Sequence, residues 1–411
     1  MERLNAEFTD NEISCFSYRV FMECTIGDRT FLIREAHMSD AGPVKLLFDL
    51  IYGGKYPDSE LEHLAEELLD RSRNLCIVTE FEHSIVGCVM IKMDHKQRIG
   101  KCGRGLLLPE FRRIGLAQTM LRQAINHLCL DTCQLDLVYG TSRTVNPGPA
   151  NMSAAAGMMQ MGLFPNAVQI DSMEHLNLEV YFSPGSLAKR RSNPSILVEF
   201  KNIFDLAMES IGINECASLV PFASPMESKC NRALIINRNQ EEVARRYQWG
   251  VENELFAIPF YPFQLPNMLL VAEDVGEEVF VWYDDRGKRA AITGYRSDCR
   301  DVGGLFRAVA ATMESYGAAN LELLVSAHDP IAQQGAYAAR FLPCAYFPAM
   351  HLRCDGCRED YLILSRTFRL LDFGHIAVSQ LNAKFLRVYM LAYYRLYIEP
   401  LLGPLPPEVV Q

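Results

Sequence analysis

The pattern Arg112-x-x-Gly115-x-Ala117 carries more chemistry than any other spacing in this chain. It sits in Gly105-Leu106-Leu107-Leu108-Pro109-Glu110-Phe111-Arg112-Arg113-Ile114-Gly115-Leu116-Ala117, which reads as an apolar strand, a Pro-Glu turn and the start of an amphipathic helix. Glycine and alanine at those two places put no bulky side chain in the way of a close approach. Successive backbone N–H groups can then face an anion at the helix N-terminus. The spacing predicts a cradle for a pyrophosphate.

Three other groupings could act. Asp94 and His95 end the strand before the cradle strand, and histidine's ordinary pKa suits it to relay a proton from an ammonium; the bland reading is a solvated turn. Ser142-Arg143-Thr144-Val145-Asn146-Pro147-Gly148-Pro149 reads as a stiff loop, in which Arg143 could fork an acceptor's carboxylate or simply brace the loop. Cys354-Asp355-Gly356-Cys357 has metal-like spacing, but no second pair or histidine pair completes four ligands, and Asp-Gly between two strands is a hairpin signal. No metal is expected there.

The elements that must hold these groups follow from periodicity and punctuation. Residues 15–36 read as one or two strands turning at Gly27-Asp28, with Ser39 or Asp40 capping a helix at 40–52. A second helix at 59–71 enters through Pro57-Asp58-Ser59. Strands at 75–81, 86–93 and through Leu108 lead to the cradle, a helix to about 129, a strand at Leu135–Gly140 and a small apolar helix from Asn151 into Met159 and Met161. Helices are expected at 200–211 and 239–247, strands at 268–273, 278–283 and 289–295, a helix at 302–316, a strand at 320–326 and a helix at 330–340. Asn151-x-x-Ala154 stands eleven positions before Gly162-Leu163-Phe164-Pro165, as Asp329-x-x-Ala332 stands before Arg340-Phe341-Leu342-Pro343, so the second half repeats the first.

The cradle, the Thr30–Ala36 strand before it and Asn151-x-x-Ala154 running to Gly162-Leu163-Phe164 resemble the GNAT acetyltransferase superfamily and its acyl-CoA signature Arg/Gln-x-x-Gly-x-Gly/Ala. The resemblance implies a mixed α/β (α+β) fold: two GNAT-like domains, each a mostly antiparallel sheet flanked by helices, plus a C-terminal helix. It implies that Arg112, Arg113, Ile114, Gly115, Leu116 and Ala117 hold the pyrophosphate of acetyl-CoA or another acyl-CoA. Leu106, Leu107 and Leu108 would lie along the pantetheine, and Asn151 would join the cofactor site. Relatives place a tyrosine seven positions after the Asn to protonate the leaving thiolate; this chain has Met158 there, which leaves Tyr139 as the nearest phenol and Asp94 and His95 as base candidates. Arg143 lies where a weak likeness to amino-acid N-acetyltransferases puts the acceptor. In the second half the turn Cys299-Arg300-Asp301-Val302-Gly303-Gly304 lacks the signature, so that half is expected to keep the fold without the cofactor.

Length and composition bound the rest. With 411 residues and an apolar fraction of 49%, the chain can fill two cores; the expected divisions are 1–200, a helical connector at 201–266, 267–370 and a helical tail at 371–411. A net charge of −10 argues against a nucleic-acid or anionic-membrane surface and is compatible with cationic or zwitterionic substrates. Met1–Glu7 has no apolar core of a signal peptide, no run approaches a membrane span, and the expected location is cytoplasmic. Most of the thirteen cysteines, Cys76, Cys88, Cys102, Cys129 and Cys344 among them, read as reduced core thiols. Phe385–Leu402 reads as an amphipathic helix covering either the other domain or a second subunit of a homodimer. The expected activity is N-acyl transfer to a small amine or amino acid; the rivals are an acyl-CoA-binding sensor or scaffold without catalysis and, more weakly, another CoA-ester enzyme such as a decarboxylase or O-acyltransferase.

Overall fold

A computed structural model describes residues 18–53, 64–170, 172–223, 232–257, 261–272, 276–297, 301–374, 376–377 and 379–403. The entry of the expected 59–71 helix, the Met1–Glu7 segment and Cys299-Arg300 lie outside the described residues. The chain forms two compact units, one of residues 1–93 and 102–132 and one of 94–101 and 133–411, a different division from the repeat in the sequence.

The first unit holds β1 (Val20–Ile26), β2 (Arg29–Glu35), β3 (Asn74–Phe81), most of β4 (Ser84–Asp94) and the later part of β5 (Ile99–Leu107), with β1 to β4 paired in order and antiparallel. Helices α1 (Ala41–Tyr52) and α2 (Leu64–Leu69) bury Val44, Leu47, Phe48, Leu64 and Leu68 with Cys76, Val78 and Cys88 of the strands. Helix α3 (Leu116–Asn126) buries Leu116, Met120, Leu121, Ala124 and Ile125 on one face. The expected cap of α1 is absent. Asp40 instead takes Arg34 at 2.7 Å and the His37 N–H at 2.7 Å, because the guanidinium six residues away offers a stronger, charge-assisted bond.

In the second unit β6 (Leu137–Arg143), α4 (Gly148–Ala155), β7 (Met159–Gln169) and β8 (Met173–Phe182) complete the first half of the sequence; β9 (Ser195–Leu197), α5 (Lys201–Ile211), β10 (Ser218–Val220), β11 (Ile235–Asn237) and α6 (Gln240–Glu252) connect the halves. The second half supplies β12 (Met268–Ala272), β13 (Glu277–Asp284), β14 (Arg289–Arg296), α7 (Val302–Tyr316), β15 (Asn320–Ser326), α8 (Pro330–Ala338), β16 (Leu342–Leu352) and β17 (Arg358–Thr367). Ten strands of this unit pair in the order β6-β8-β7-β16-β17-β15-β14-β13-β12-β11, antiparallel except for β14 beside β15. The fold is thus mixed α/β with mostly antiparallel sheet, and both halves run strand–strand–strand–helix–strand–helix–strand–strand.

The structure shifts the repeat away from the alignment read in the sequence. Helix α4 ends where Gly157 (φ +92) turns left-handed, with Gly157 N–H on Ala154 O and Met158 N–H on Ser153 O, both at 3.0 Å. Helix α8 ends in the same way at Arg340 (φ +65), whose successor Phe341 donates to Ala336 O at 3.0 Å. Met158 therefore matches Phe341, and Gly162-Leu163-Phe164-Pro165-Asn166 matches Ala345-Tyr346-Phe347-Pro348-Ala349. Asn166 (φ +50) and Ala349 (φ +56) share the left-handed conformation after their Phe-Pro, and each puts its N–H on a side chain of the paired strand: His175 Nδ1 at 2.9 Å and Asp360 Oδ1 at 2.8 Å. The expected helix through Met159 and Met161 is strand β7.

Strands β7 and β16 meet at the single pair Gly162 and Ala345, so the like elements of the two repeats face each other across this seam. Helix α9 (Gln380–Tyr393) packs on α5, β7 and β16 and buries Phe385 and Tyr389. The amphipathic C-terminal segment covers this chain's own seam, the first of the two uses its pattern allowed. The Cys354–Cys357 segment is a hairpin turn with Gly356 at φ +82.

Candidate functional site

Strand β5 loses its regular pleat at Arg104, whose φ is +51, and then runs through Gly105–Leu107 into the Pro109–Phe111 turn. Arg112 donates Nε–H to Leu107 O at 3.0 Å, which clamps the turn against the end of the strand. Arg113 follows at φ +66 and Gly115 at φ +90. Left-handed Gly115 followed by the right-handed start of α3 at Leu116 is the pairing that aims consecutive N–H groups to one side, as in an anion-binding nest. No side chain caps α3. A Cβ built on Gly115 meets only the end of the Gln118 side chain, at 3.5 Å, so the space in front of the helix is open, and Arg112 and Arg113 are both exposed beside it. Leu106 and Leu107 are buried, Leu108 half-buried.

The corresponding helix start in the second half has the opposite chemistry. Asp301 caps α7 by accepting the Gly304 N–H at 2.8 Å, and Arg232 binds Asp301 at 3.1 Å and Glu277 at 2.8 Å. Burial raises the Asp301 pKa, but the Gly304 N–H and Arg232 more than reverse this and hold the carboxyl below its ordinary value. A carboxylate of the chain itself occupies the positive end of the helix dipole, where an anion would otherwise sit.

Residues 44–138 match the model of the acetyltransferase (GNAT) family. This segment is a GNAT acetyltransferase domain. Among solved structures, the RimL ribosomal L7/L12 alpha-N-protein acetyltransferase is 12% identical, with a TM-score of 0.35 and coverage of 41% of this chain and 96% of that one. A GNAT-family acetyltransferase from Streptococcus pneumoniae is 19% identical (TM-score 0.33; 37% and 99% covered), and a spermidine N-acetyltransferase SpeG mutant from Vibrio cholerae is 15% identical (TM-score 0.33; 38% and 95% covered). No curated protein matches the chain.

The structure places the remaining sequence candidates of this GNAT-containing chain as follows. Asp94 accepts the Gln97 N–H at 2.9 Å, closing the turn between β4 and β5, and His95 is exposed at its tip. Tyr139 is buried in the core of the second unit, with its ring against Phe263 and Phe347, and burial pushes its phenol far above the ordinary value. That is the setting of a packing residue rather than of an acid that meets a thiolate. Asn151 is exposed on α4. Met158 is buried after the helix has ended, so the position seven beyond Asn151 is not helical here. Arg143 belongs to β6 rather than to a loop, and its fork is already filled: Nε and Nη2 bind the two Glu174 oxygens at 2.6 and 2.5 Å. The pair ties β6 to β8.

Two polar clusters escaped the sequence reading. Glu67 of α2 binds Lys92 at 2.7 Å and also Arg104; burial alone would raise its pKa, and the two cations hold it below the usual range. The signal available was an arginine between Gly103 and Gly105 in the strand that leads to the cradle. Glu179 of β8 is 3% exposed and accepts the Ser142 hydroxyl at 2.5 Å, with Asn177 donating to Ser142 at 3.3 Å, while Glu179 Oε2 has no hydrogen-bond partner. Burial pushes Glu179 up to about 7, and the Ser142 bond offsets only part of that. A charge inside the apolar run Leu178-Glu179-Val180 was the sign. Among the described residues no group of acids, histidines and cysteines could hold a metal ion, and no helix is long and apolar enough to cross a membrane.

Proposed function

We propose that the chain is an acyl-CoA-dependent N-acyltransferase, acetyl being the favoured acyl group, that acts on a small amine or amino acid. The observation that carries this reading is the uncapped start of α3: an open nest at Arg113–Ala117 with two exposed arginines beside it, in a segment that matches the GNAT family. Ile114, Gly115, Leu116 and Ala117 would hold the pyrophosphate through backbone N–H groups, Arg112 and Arg113 would add charge, and Leu106–Leu108 would lie along the pantetheine. Bound acyl-CoA would supply an acyl group activated as a thioester. The residues' own work is to neutralise the phosphates and to fix the strand edge that orients the acyl carbonyl.

The division into a working half at 1–200, a connector at 201–266, a half without cofactor at 267–370 and a tail at 371–411 is part of the same reading, as is a cytoplasmic location. The Asp301 cap is what supports a single coenzyme site. A second reading, an acyl-CoA-binding module without catalysis, is favoured by Met158, which has no proton to give, and by the core setting of Tyr139. Release of free thiol from acetyl-CoA in the presence of polyamines, amino acids or an N-terminal peptide tests the two: turnover with an amine supports the enzyme, and tight coenzyme binding with no release across the panel supports the module.

A further inference from the structure

The residues that follow β17 lie against β7 and β8, and one side chain of each strand holds them by their carbonyl groups. Asn166 of β7 donates its amide to Leu370 O at 2.8 Å and to Arg369 O at 3.4 Å. His175 of β8 bonds Asp372 O through Nε2 at 2.7 Å, and its ring lies against Phe373 with the centroids 4.8 Å apart. Further on, the Ala377 N–H reaches Thr144 O at 2.7 Å, and α9 begins three residues later. The other side of the His175 ring fixes which nitrogen carries the proton. Nδ1 accepts the Asn166 backbone N–H at 2.9 Å. A backbone N–H can only donate, so Nδ1 is bare, and the neutral ring has its one proton on Nε2 and donates it to Asp372 O. His175 is 3% exposed. At the matching corner of the second half the Ala349 N–H goes instead to the Asp360 carboxylate, which Arg190 also binds at 2.9 Å. Only the first half uses an acceptor of the type that one proton switches off near neutral pH.

We propose that His175 is a pH-operated latch: the neutral ring holds Arg369–Gly374 on β7 and β8, and a proton added at Nδ1 lets that segment go. The added proton points at the Asn166 N–H, so a buried hydrogen bond becomes two opposed donors and the ring gains a buried charge. The charged groups that face the ring are Asp372 of the segment itself and Glu174 beside it on β8, and Glu174 is already forked by Arg143 of β6. Strand β7 has no titratable residue. Burial lowers the His175 pKa, and the Asp372 carbonyl and the two acids reverse only part of this. The closed latch therefore binds the proton less well than the open one. Its grip is complete above the ordinary histidine value of ~6.5 and weakens as pH falls below it. The inference stands apart from coenzyme binding at the α3 nest.

Hydrogen exchange of the full chain, read by mass spectrometry and corrected for the intrinsic effect of pH on exchange, tests it at the peptide 368–374. With an open-state pKa of ~6.5, protection there should fall about tenfold between pH 7.5 and pH 5.5, while β12 to β15 keep theirs. His175→Asn leaves an oxygen to accept the Asn166 N–H and does not titrate in this range, so its protection at 368–374 should change less than about twofold between the two pH values. If that variant fails to fold, the parent's own profile decides: the fall should set in near pH ~6.5 and steepen to no more than about tenfold per pH unit, the slope of a single proton. Protection that stays constant in the parent overturns the proposal. So does a fall that is equal in His175→Asn, that begins only in the carboxylate range below pH ~5, or that strips β12 to β15 at the same pH.

Discussion

A Cβ added at Gly162 would lie 2.2 Å from the Ala345 Cβ, 2.7 Å from the Ala345 Cα and 2.7 Å from the Cys344 carbonyl oxygen. Real Cβ contacts do not come that close, and two of the three obstacles are backbone of the neighbouring strand. No side-chain rotation relieves them; β7 and β16 must move apart at the one place where they pair. Overpacking by a single methyl in a tight core costs about 1–3 kcal/mol, and the backbone obstacles put Gly162→Ala at the upper end of that range. Ala345→Gly in the same chain removes the 2.2 Å contact but not the two at 2.7 Å. About half of the loss should return, which makes the two sites non-additive by roughly 1 kcal/mol or more. Urea unfolding of the four proteins of the cycle, followed by far-UV circular dichroism, measures both quantities. A Gly162→Ala protein within ~0.5 kcal/mol of the parent, or strictly additive single changes, would refute the argument that the seam depends on a missing side chain.

Other consequences are equally direct. Arg358 is fully buried and binds Asp136 at 3.1 Å as well as the carbonyls of Gln97 and Ala349, so Asp136→Asn, which strands the guanidinium, should cost about 3–5 kcal/mol by chemical denaturation. Glu179 has a folded pKa near 7 against ~4.3 unfolded, so the carboxyl favours folding when protonated: that contribution is complete below pH ~4.3 and is lost as pH rises through 7. Glu179→Gln should accordingly raise stability at pH 8, by on the order of 4 kcal/mol at most, and change it little at pH 4.5; an equal effect at both pH values contradicts the assignment. Arg143→Gln should lower the melting temperature by uncovering Glu174, and in a working transferase assay leave the acceptor KM within about twofold, whereas a steep KM rise would restore Arg143 as an acceptor clamp.

The turn before α3 was legible in the sequence because it is made of backbone, and its requirements fall on a few small residues at fixed offsets. The strands and the long helix of the second half were legible for a similar reason: β12 to β15 and α7 are regular, well punctuated and close to their expected bounds. Met159–Pro165 was not, since a short apolar run mixing Met, Gly, Leu and Phe fits a helix and a fully buried strand equally well. Gly157 decided the matter by taking the left-handed conformation, and Gly162 looked like the stop only because it follows in the same run. Arg143 and Glu174 are thirty-one residues apart on paired strands, so the fork's occupant has no local signature. Tyr139 sits on a strand buried on both faces, where alternation no longer tells which side faces the core. The Asp301 cap shows the reverse case, an acid at a helix start whose ordinary capping role accounts for the missing signature.

Titration of acetyl-CoA into the full chain by isothermal calorimetry, repeated with Gly115→Glu, bears most directly on the central claim that the open nest before α3 is the chain's one acyl-CoA site. The account predicts one coenzyme per chain and loss of binding in the variant, whose circular dichroism and cooperative unfolding stay like the parent's. Two equivalent sites per chain, or undiminished binding by the folded Gly115→Glu protein, would contradict it.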